Sequence, residues 1–341
     1  RGIPNKNLRT INNKPLISYA IENALQSKFI TKVIVTSDSS KVLSLSKSYG
    51  VFTIDRDKSL CKDDTTLDSV IHDAVKDIEC DYVVTMQPTS PTLNVKTLDR
   101  AIQYTIDNNL DTVISCMNSP HLSWSLDENG NLKQNYKTRL NRQYMPSNFV
   151  ETGAFLITKY NNVTAKNRIG KKLDVFELSY EESIDIDGFG DFEIAKYILS
   201  KKKIAFYVNG NNSIGTGHIR RVLTLADELN VKPDILFNKS ITEISLFGDS
   251  THNILGFSDE LSIMNYMHNT KYDILINDIL DTNVEFMKNL KQVNDKMKII
   301  NLDDLGDGHK YADMVINPFL EGKETLKVKF GHSYFVLDSV F

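Results

Sequence analysis

The sequence predicts an α/β protein made of two successive domains, and three observations carry that prediction. Short apolar runs of strand length alternate with amphipathic segments of helical period. The alternation breaks over a polar stretch at residues 118–150, then restarts as a fresh strand–loop–helix unit after Lys201-Lys202-Lys203. The chain has 341 residues, enough for two domains of about 100 to 200 residues each. The expected boundaries are 1–200 and 201–341.

In chain order, Val33-Ile34-Val35 reads as a buried strand and Thr36-Ser37-Asp38 as the turn that ends it. A helix starts near Ser39, carries Val42, Leu45 and Tyr49, and stops at Gly50. Val51-Phe52-Thr53-Ile54 is a further strand. Over residues 64–79, Leu67, Val70, Ile71, Ala74, Val75 and Ile78 recur at helical spacing and form one apolar stripe. Tyr82 to Met86 is the next strand, stopped by Gln87-Pro88-Thr89-Ser90-Pro91. Leu98, Ala101, Ile102 and Ile106 mark another amphipathic helix, and Asp111 to Ser115 another strand. This rhythm predicts a mainly parallel sheet. Asp127-Glu128-Asn129-Gly130-Asn131 is a turn inside the polar excursion. Strand character returns at Gly153-Ala154-Phe155-Leu156-Ile157, and a helix at about 191–199 closes the first domain. In the second domain, strands are expected at Ile204–Val208, Asp234–Phe237, Asp273–Ile276 and Lys298–Ile300, with a helix from about residue 217.

Composition narrows the function. Lys and Arg total 40 against 44 Asp and Glu, a formal net charge of −4. That balance argues against a general nucleic-acid or membrane-binding surface. The longest apolar runs are far too short to span a bilayer. Cys61, Cys80 and Cys116 show no ligand spacing and cannot all pair, which fits reduced thiols in a cytoplasmic protein. The sequence opens at Arg1-Gly2-Ile3-Pro4 without a Met, inside a motif, so the natural start is expected upstream.

Two loops carry candidate chemistry. Gly2-Ile3-Pro4-Asn5-Lys6-Asn7 combines small and basic residues, which can hold phosphates through backbone N–H groups and side-chain charge. Taken alone it reads more readily as a basic surface loop without function. Asp185 and Asp187 stand two apart, so on an extended backbone they share a face and can share a hard metal ion. Spacing alone favours a solvated Asp-Gly turn, since Gly188 follows.

Five segments in this order resemble the acylneuraminate cytidylyltransferases, also called CMP-sialic acid synthetases: Gly2 to Leu8, Lys14-Pro15-Leu16, Val33 to Asp38, Gln87 to Pro91, and Ser183-Ile184-Asp185-Ile186-Asp187. The resemblance spans about residues 1–200. It implies a Rossmann-like nucleotidyltransferase domain in which a sugar's anomeric hydroxyl attacks the α-phosphorus of CTP and pyrophosphate leaves. A site for that charge distribution needs cations and positioned donors more than a covalent nucleophile. The resemblance implies Arg1 and Lys6 at the phosphates, Asn7 and Arg56 at the nucleotide, and Gln87, Thr89 and Ser90 near the sugar. It implies Arg142 at the sugar carboxylate, where a bidentate pair suits the task. It further implies Mg²⁺ on Asp185 and Asp187, with Asp187 in the catalytic set, and a homodimer formed through the 118–150 excursion. Glu151-Thr152-Gly153 resembles the family's Glu-Asn-Gly segment, and Leu156 stands where some members carry a sugar-side Tyr.

In the second domain, Asn209 to Arg221 follows a strand and opens a helix, placing glycines and a helix N-terminus where phosphate can bind. The string Ile214-Gly215-Thr216-Gly217-His218-Ile219-Arg220-Arg221, with Asn301-Leu302-Asp303-Asp304 and Gly331-His332-Ser333-Tyr334-Phe335, resembles the nucleotide-sugar hydrolase of the pseudaminic acid pathway. That family has two facing Rossmann-like domains of GT-B type, and the match covers the first of them. The resemblance implies a truncated hydrolase-like domain, a UDP-sugar ligand and His218 as general base. Two alternatives stand beside this reading. The second domain could bind a nucleotide sugar without catalysis, and the first could act on a sugar phosphate instead.

Overall fold

The computed structural model describes residues 3–211, 213 and 215–336. The chain divides into two compact units, Arg1–Ser200 and Lys201–Phe341.

In the first unit a two-residue antiparallel ladder, β1 (Thr10–Ile11) with β2 (Lys14–Pro15), leads into α1 (Leu16–Gln26). Pro15 takes the N-cap position, where its missing N–H costs nothing. Leu16, Ile17, Ile21 and Ala24 make the buried face of α1. β3 (Ile34–Ser37) and β4 (Phe52–Asp55) pair in parallel, with α2 (Ser40–Ser48) between them in sequence. The Ser39 side chain caps α2 by accepting from the Val42 N–H, and Gly50 follows it with φ +75°. The strand runs through Ser37, so Thr36 and Ser37 extend β3 and do not turn it.

α3 (Leu67–Val75) is shorter than the stripe at 64–79 suggested. Thr66 caps its start by accepting from the Ser69 N–H. At the other end the Ile78 N–H donates to the Val75 carbonyl in a turn, which takes Ile78 off the helix. β5 (Tyr82–Thr85), α4 (Val95–Asp107) and β6 (Thr112–Asn118) follow as the sequence suggests. α4 buries Thr97, Leu98, Ala101, Ile102 and Thr105. The polar excursion holds an antiparallel hairpin, β7 (Trp124–Leu126) with β8 (Leu132–Gln134). The chain returns through the long β9 (Phe149–Lys159), then β10 (Leu173–Glu177) and α5 (Phe189–Ser200).

The four-stranded sheet has the order β10-β6-β9-β5. β10 lies parallel to β6, while β9 runs antiparallel to both β6 and β5. β9 reverses because it enters the sheet from the excursion and not from a crossover helix. Leu98, Ala101 and Ile102 of α4 pack against Phe155 and Ile157 of β9.

The second unit is the simpler one. Its strands are β11 (Ile204–Val208), β12 (Asp234–Asn238), β13 (Asn253–Phe257), β14 (Ile274–Asp278), β15 (Lys298–Leu302), β16 (Met314–Asn317) and β17 (Val328–Phe330). They form one sheet, all parallel, in the order β13-β12-β11-β14-β15-β16-β17. Its helices are α6 (Gly217–Asp227), α7 (Glu260–Thr270) and α8 (Val284–Val293). Alternation along β11 sorts the core. Ala205 and Tyr207 join a cluster with Met267 of α7 and Met287 and Leu290 of α8, while Phe206 and Val208 join Ile219 and Val222 of α6. Strand order reverses between β11 and β14, which opens a crevice at their C-terminal ends.

Candidate functional site

Each unit gathers polar side chains at strand ends. In the first unit, the turn after β5 is fastened on two sides. The Ile186 N–H donates to the Thr89 carbonyl at 2.9 Å, and the Ser90 hydroxyl donates to the Thr152 carbonyl at 3.2 Å. Behind these, buried Thr152 donates to the Ser115 hydroxyl at 2.9 Å, and Ser115 donates to the Phe155 carbonyl at 2.8 Å. The chain of hydroxyls sits where the β6–β9 register shifts between Ile114 and Cys116. Gly153 lies in the same irregularity with φ +69°. A Cβ there would stand 3.3 Å from both Asp185 Oδ2 and Gln87 Nε2, so Gln87, Gly153 and Asp185 converge on one small space. Burial, then the nearby Glu151 charge, pushes the Cys116 thiol up to about 11, so it offers no thiolate nucleophile there.

Residues 183–187 form no regular strand, yet they alternate as extended backbone does. Ile184 and Ile186 are buried, while Asp185 is half-buried and Asp187 exposed. Lys6 follows Asn5, whose φ is +53°, on a 3₁₀ turn (Lys6–Leu8) that also carries half-buried Asn7. The Lys6 ammonium donates to the Ile186 carbonyl and lies 3.6 Å from Asp187 Oδ1. The structure therefore joins the basic loop to the Asp185–Asp187 segment across 180 residues. Arg56 is held at the end of β3, its Nη2 donating to the Thr36 carbonyl at 2.8 Å. Arg142 is exposed on a 3₁₀ turn (Arg142–Tyr144) of the excursion. Arg1 lies outside the described residues.

In the second unit the loop after β11 doubles back on itself. The Gly215 N–H donates to the Asn211 carbonyl at 2.7 Å, Gly215 takes φ +96°, and the Gly210 N–H donates to the Thr242 hydroxyl. The loop delivers His218 to the first turn of α6. There His218 Nδ1 meets Asp278 Oδ1 at the end of β14. The Asp278 side chain is fully buried. Arg221, one turn along α6, donates through Nε to Asp278 Oδ2 at 2.7 Å, through Nη2 to Asp278 Oδ1 at 2.6 Å, and through Nη1 to Asp303. Burial opposes the Arg221 charge, but hydrogen bonds and charges from Asp278 and Asp303 outweigh it and raise the guanidinium pKa above its ordinary value. Sequence reading gave no role to Asp278, Arg221 or Asp303. The available signal for Asp278 was an acidic residue closing an apolar strand, and the expected strand stopped two residues short of it.

Residues 1–167 match the family model described as Cytidylyltransferase. The first unit carries a cytidylyltransferase-family domain. The N-acylneuraminate cytidylyltransferase of Escherichia coli O18:K1:H7 is 31% identical over 229 residues, 63% of this chain and 54% of that one. The pseudaminic acid cytidylyltransferase of Campylobacter jejuni serotype O:2 is 29% identical over 58% of this chain and 90% of its own. A Helicobacter pylori protein named as pseudaminic acid cytidylyltransferase and UDP-2,4-diacetamido-2,4,6-trideoxy-beta-L-altropyranose hydrolase is 27% identical over 80% of this chain and 54% of its own. The chain thus spans about half the length of the E. coli and H. pylori relatives. Within the cytidylyltransferase-family domain, the match takes in Lys6, Asn7, Arg56, Gln87 and Gly153 but stops before Asp185 and Asp187, which the fold brings back to Lys6 and Gln87.

Gly153 offers a direct test of that convergence. Gly153→Ala forces a non-glycine residue into the left-handed region and sets a methyl against Asp185 and Gln87. Urea unfolding is expected to show a loss of about 1–3 kcal/mol, the usual cost of such backbone strain. Unchanged stability would mean that the segment relaxes freely.

Proposed function

We propose that the first unit transfers CMP from CTP to the anomeric hydroxyl of a sialic-acid-like nonulosonic acid. The observation that carries this reading is the cytidylyltransferase match over residues 1–167, backed by the meeting of Lys6 with the Asp185–Asp187 segment. In the reaction, the sugar oxygen bonds to the α-phosphorus, the bond from that phosphorus to the bridging oxygen breaks, and pyrophosphate leaves with the electron pair. Lys6 places a positive charge at the phosphates, and the 3₁₀ turn presents Asn7 beside it. Arg56, held by Thr36, serves the nucleotide. Gln87, Thr89 and Ser90 orient the sugar, and Arg142 pairs with its carboxylate.

Mg²⁺ belongs to this proposal. Asp185 Oδ1 is buried with no hydrogen-bond partner, which suits a cation ligand. Among the described residues no group of three or more His, Cys, Asp or Glu side chains is placed to hold a metal ion. Two carboxylates still fit Mg²⁺, which commonly takes one or two carboxylates and fills the rest of its shell with phosphate oxygens and water. When bound, the ion neutralises charge developing on the phosphate oxygens. Three free cysteines favour a reducing compartment such as the cytoplasm, and no helix among the described residues is long and apolar enough to cross a membrane.

Pyrophosphate release with CTP, Mg²⁺ and a panel of nine-carbon keto sugar acids tests the reading. Release with one acid is expected, falling about a hundredfold or more in Asp187→Ala. Release only with UTP and a sugar phosphate would replace it with the sugar-phosphate alternative.

We also assign the excursion to a homodimer contact. Trp124, Leu126, Leu132 and Tyr144 are 53%, 67%, 72% and 67% exposed, an apolar set that a second copy would cover. Leu126→Lys with Leu132→Lys is expected to shift sedimentation from dimer to monomer. A monomer before mutation would defeat the assignment.

For the second unit we propose hydrolysis of a UDP-linked diacetamido-trideoxy sugar, with His218 Nε2 taking the proton of the attacking water. The His218–Asp278 contact and the twofold name of the H. pylori relative favour this over a purely binding module. His218→Ala should cut UDP release from that sugar by about a hundredfold or more while CMP transfer persists. Surviving hydrolysis would remove His218 from the base role.

A further inference from the structure

The buried pair behind His218 has a consequence for the ring itself. Asp278 is a carboxylate with no exposed side-chain surface, held by two Arg221 hydrogen bonds, one to each oxygen. Arg221 is in turn fixed by Asp303, whose backbone sits in the left-handed region at φ +53°. The Asp278 carboxylate therefore has one arrangement, with Oδ1 aimed at His218 Nδ1. An ionised carboxylate only accepts hydrogen bonds, so close contact with Nδ1 requires a proton on that nitrogen. Arg221 Nη2 also lies 3.2 Å from Nδ1, but its stronger partner is Asp278 Oδ1 at 2.6 Å, so it does not need the ring as an acceptor.

We propose that Asp278 is the positioning residue of the second unit, fixing His218 as the Nδ1–H tautomer with Nε2 bare and turned away from the carboxylate. Arg221 and Asp303 hold Asp278 in place. The proposal deepens the hydrolase reading and rests on it for its catalytic meaning, while the tautomer can be measured without turnover. Nε2 takes a proton from the attacking water as its oxygen bonds to the anomeric carbon, the bond from that carbon to UDP breaks and UDP leaves with the electron pair; the imidazolium so formed keeps its Nδ1–H on a carboxylate until Nε2 releases the proton to solvent. Nothing else is required of Asp278, which need not touch the substrate.

The test is a long-range ¹H–¹⁵N correlation spectrum of the full chain, with ¹⁵N-labelled histidine. It is recorded at about pH 8, above the ordinary imidazole range. The chain has seven histidines, and His218→Gln identifies the relevant ring. A protonated Nδ1 and a bare Nε2 are expected for His218. Asp278→Asn should lose that pattern. In hydrolysis of the UDP-sugar, Asp278→Asn should lower kcat by about a hundredfold or more with KM little changed. A protonated Nε2 in the parent chain would overturn the proposal, and so would an unchanged ring in folded Asp278→Asn. If Asp278→Asn does not fold, the parent spectrum decides alone. The expected tautomer without hydrolysis would sink the hydrolase reading and still support the hold of Asp278 on the ring.

Discussion

A strand buried on both faces can carry few polar groups along its length, so polar residues collect where it ends. The second unit is governed by this constraint. Asn209 follows β11, Asn238 closes β12, Asn277 and Asp278 close β14, Asn301 lies near the end of β15, and Asn317 closes β16. All are 6% exposed or less. A buried amide left without partners is costly, and each of these makes at least one hydrogen bond, although Asn277 Oδ1 and Asn317 Oδ1 accept none. Asn209 accepts from the Asn238 N–H, Asn277 donates to Asn301, Asn301 donates to Asp304, and Asn317 donates to the Asp304 carbonyl. Asp304 also accepts from the Thr282 N–H and hydroxyl. The loops over the crevice are thereby pinned, and His218 and Arg221 of α6 meet carboxylates whose backbone is already fixed.

The first unit solves a related problem with a break in its ladder. Its central strand β9 is antiparallel, so no crossover loop marks the site. The register shift at Cys116, the positive φ of Gly153 and the buried hydroxyls of Ser90, Ser115 and Thr152 together shape the floor on which Gln87 and Asp185 meet. Here the polar partners are short hydroxyls and backbone carbonyls, which leave one carboxylate oxygen of Asp185 unpaired.

Much of this was legible in the sequence, and the limits have physical causes. The strand at Ile204–Val208 is a strong local signal with the bounds the sequence suggests, and the helix expected from about residue 217 is α6. β10 and β17 were missed because each is an edge strand, paired on one side only and without a buried residue, so neither shows a run of buried apolar positions. α3 was overrun because Ile78 keeps the helical spacing after the backbone has turned away. β13 contains Gly256, which lowers strand propensity, but a side chain there would strike Phe237. The site residues divide the same way. Lys6, Gln87, Asp185, Asp187 and His218 stand in local motifs. Asp278 lies 60 residues from His218, and only the parallel register of β11 with β14 brings them together.

The adjacency of Asn277 and Asp278 ties two jobs to one strand. Successive residues point to opposite faces, so Asn277 faces Met287 and the amide network, while Asp278 faces α6. A slip of β14 by a single residue would exchange them, setting a carboxylate among buried amides and an amide against the guanidinium of Arg221. Length changes before or after the strand can be absorbed by its loops, but none can be absorbed within it. The unit can therefore change the crevice's outer lining, but its register requires a fixed count of residues from Ile274 to Asp278.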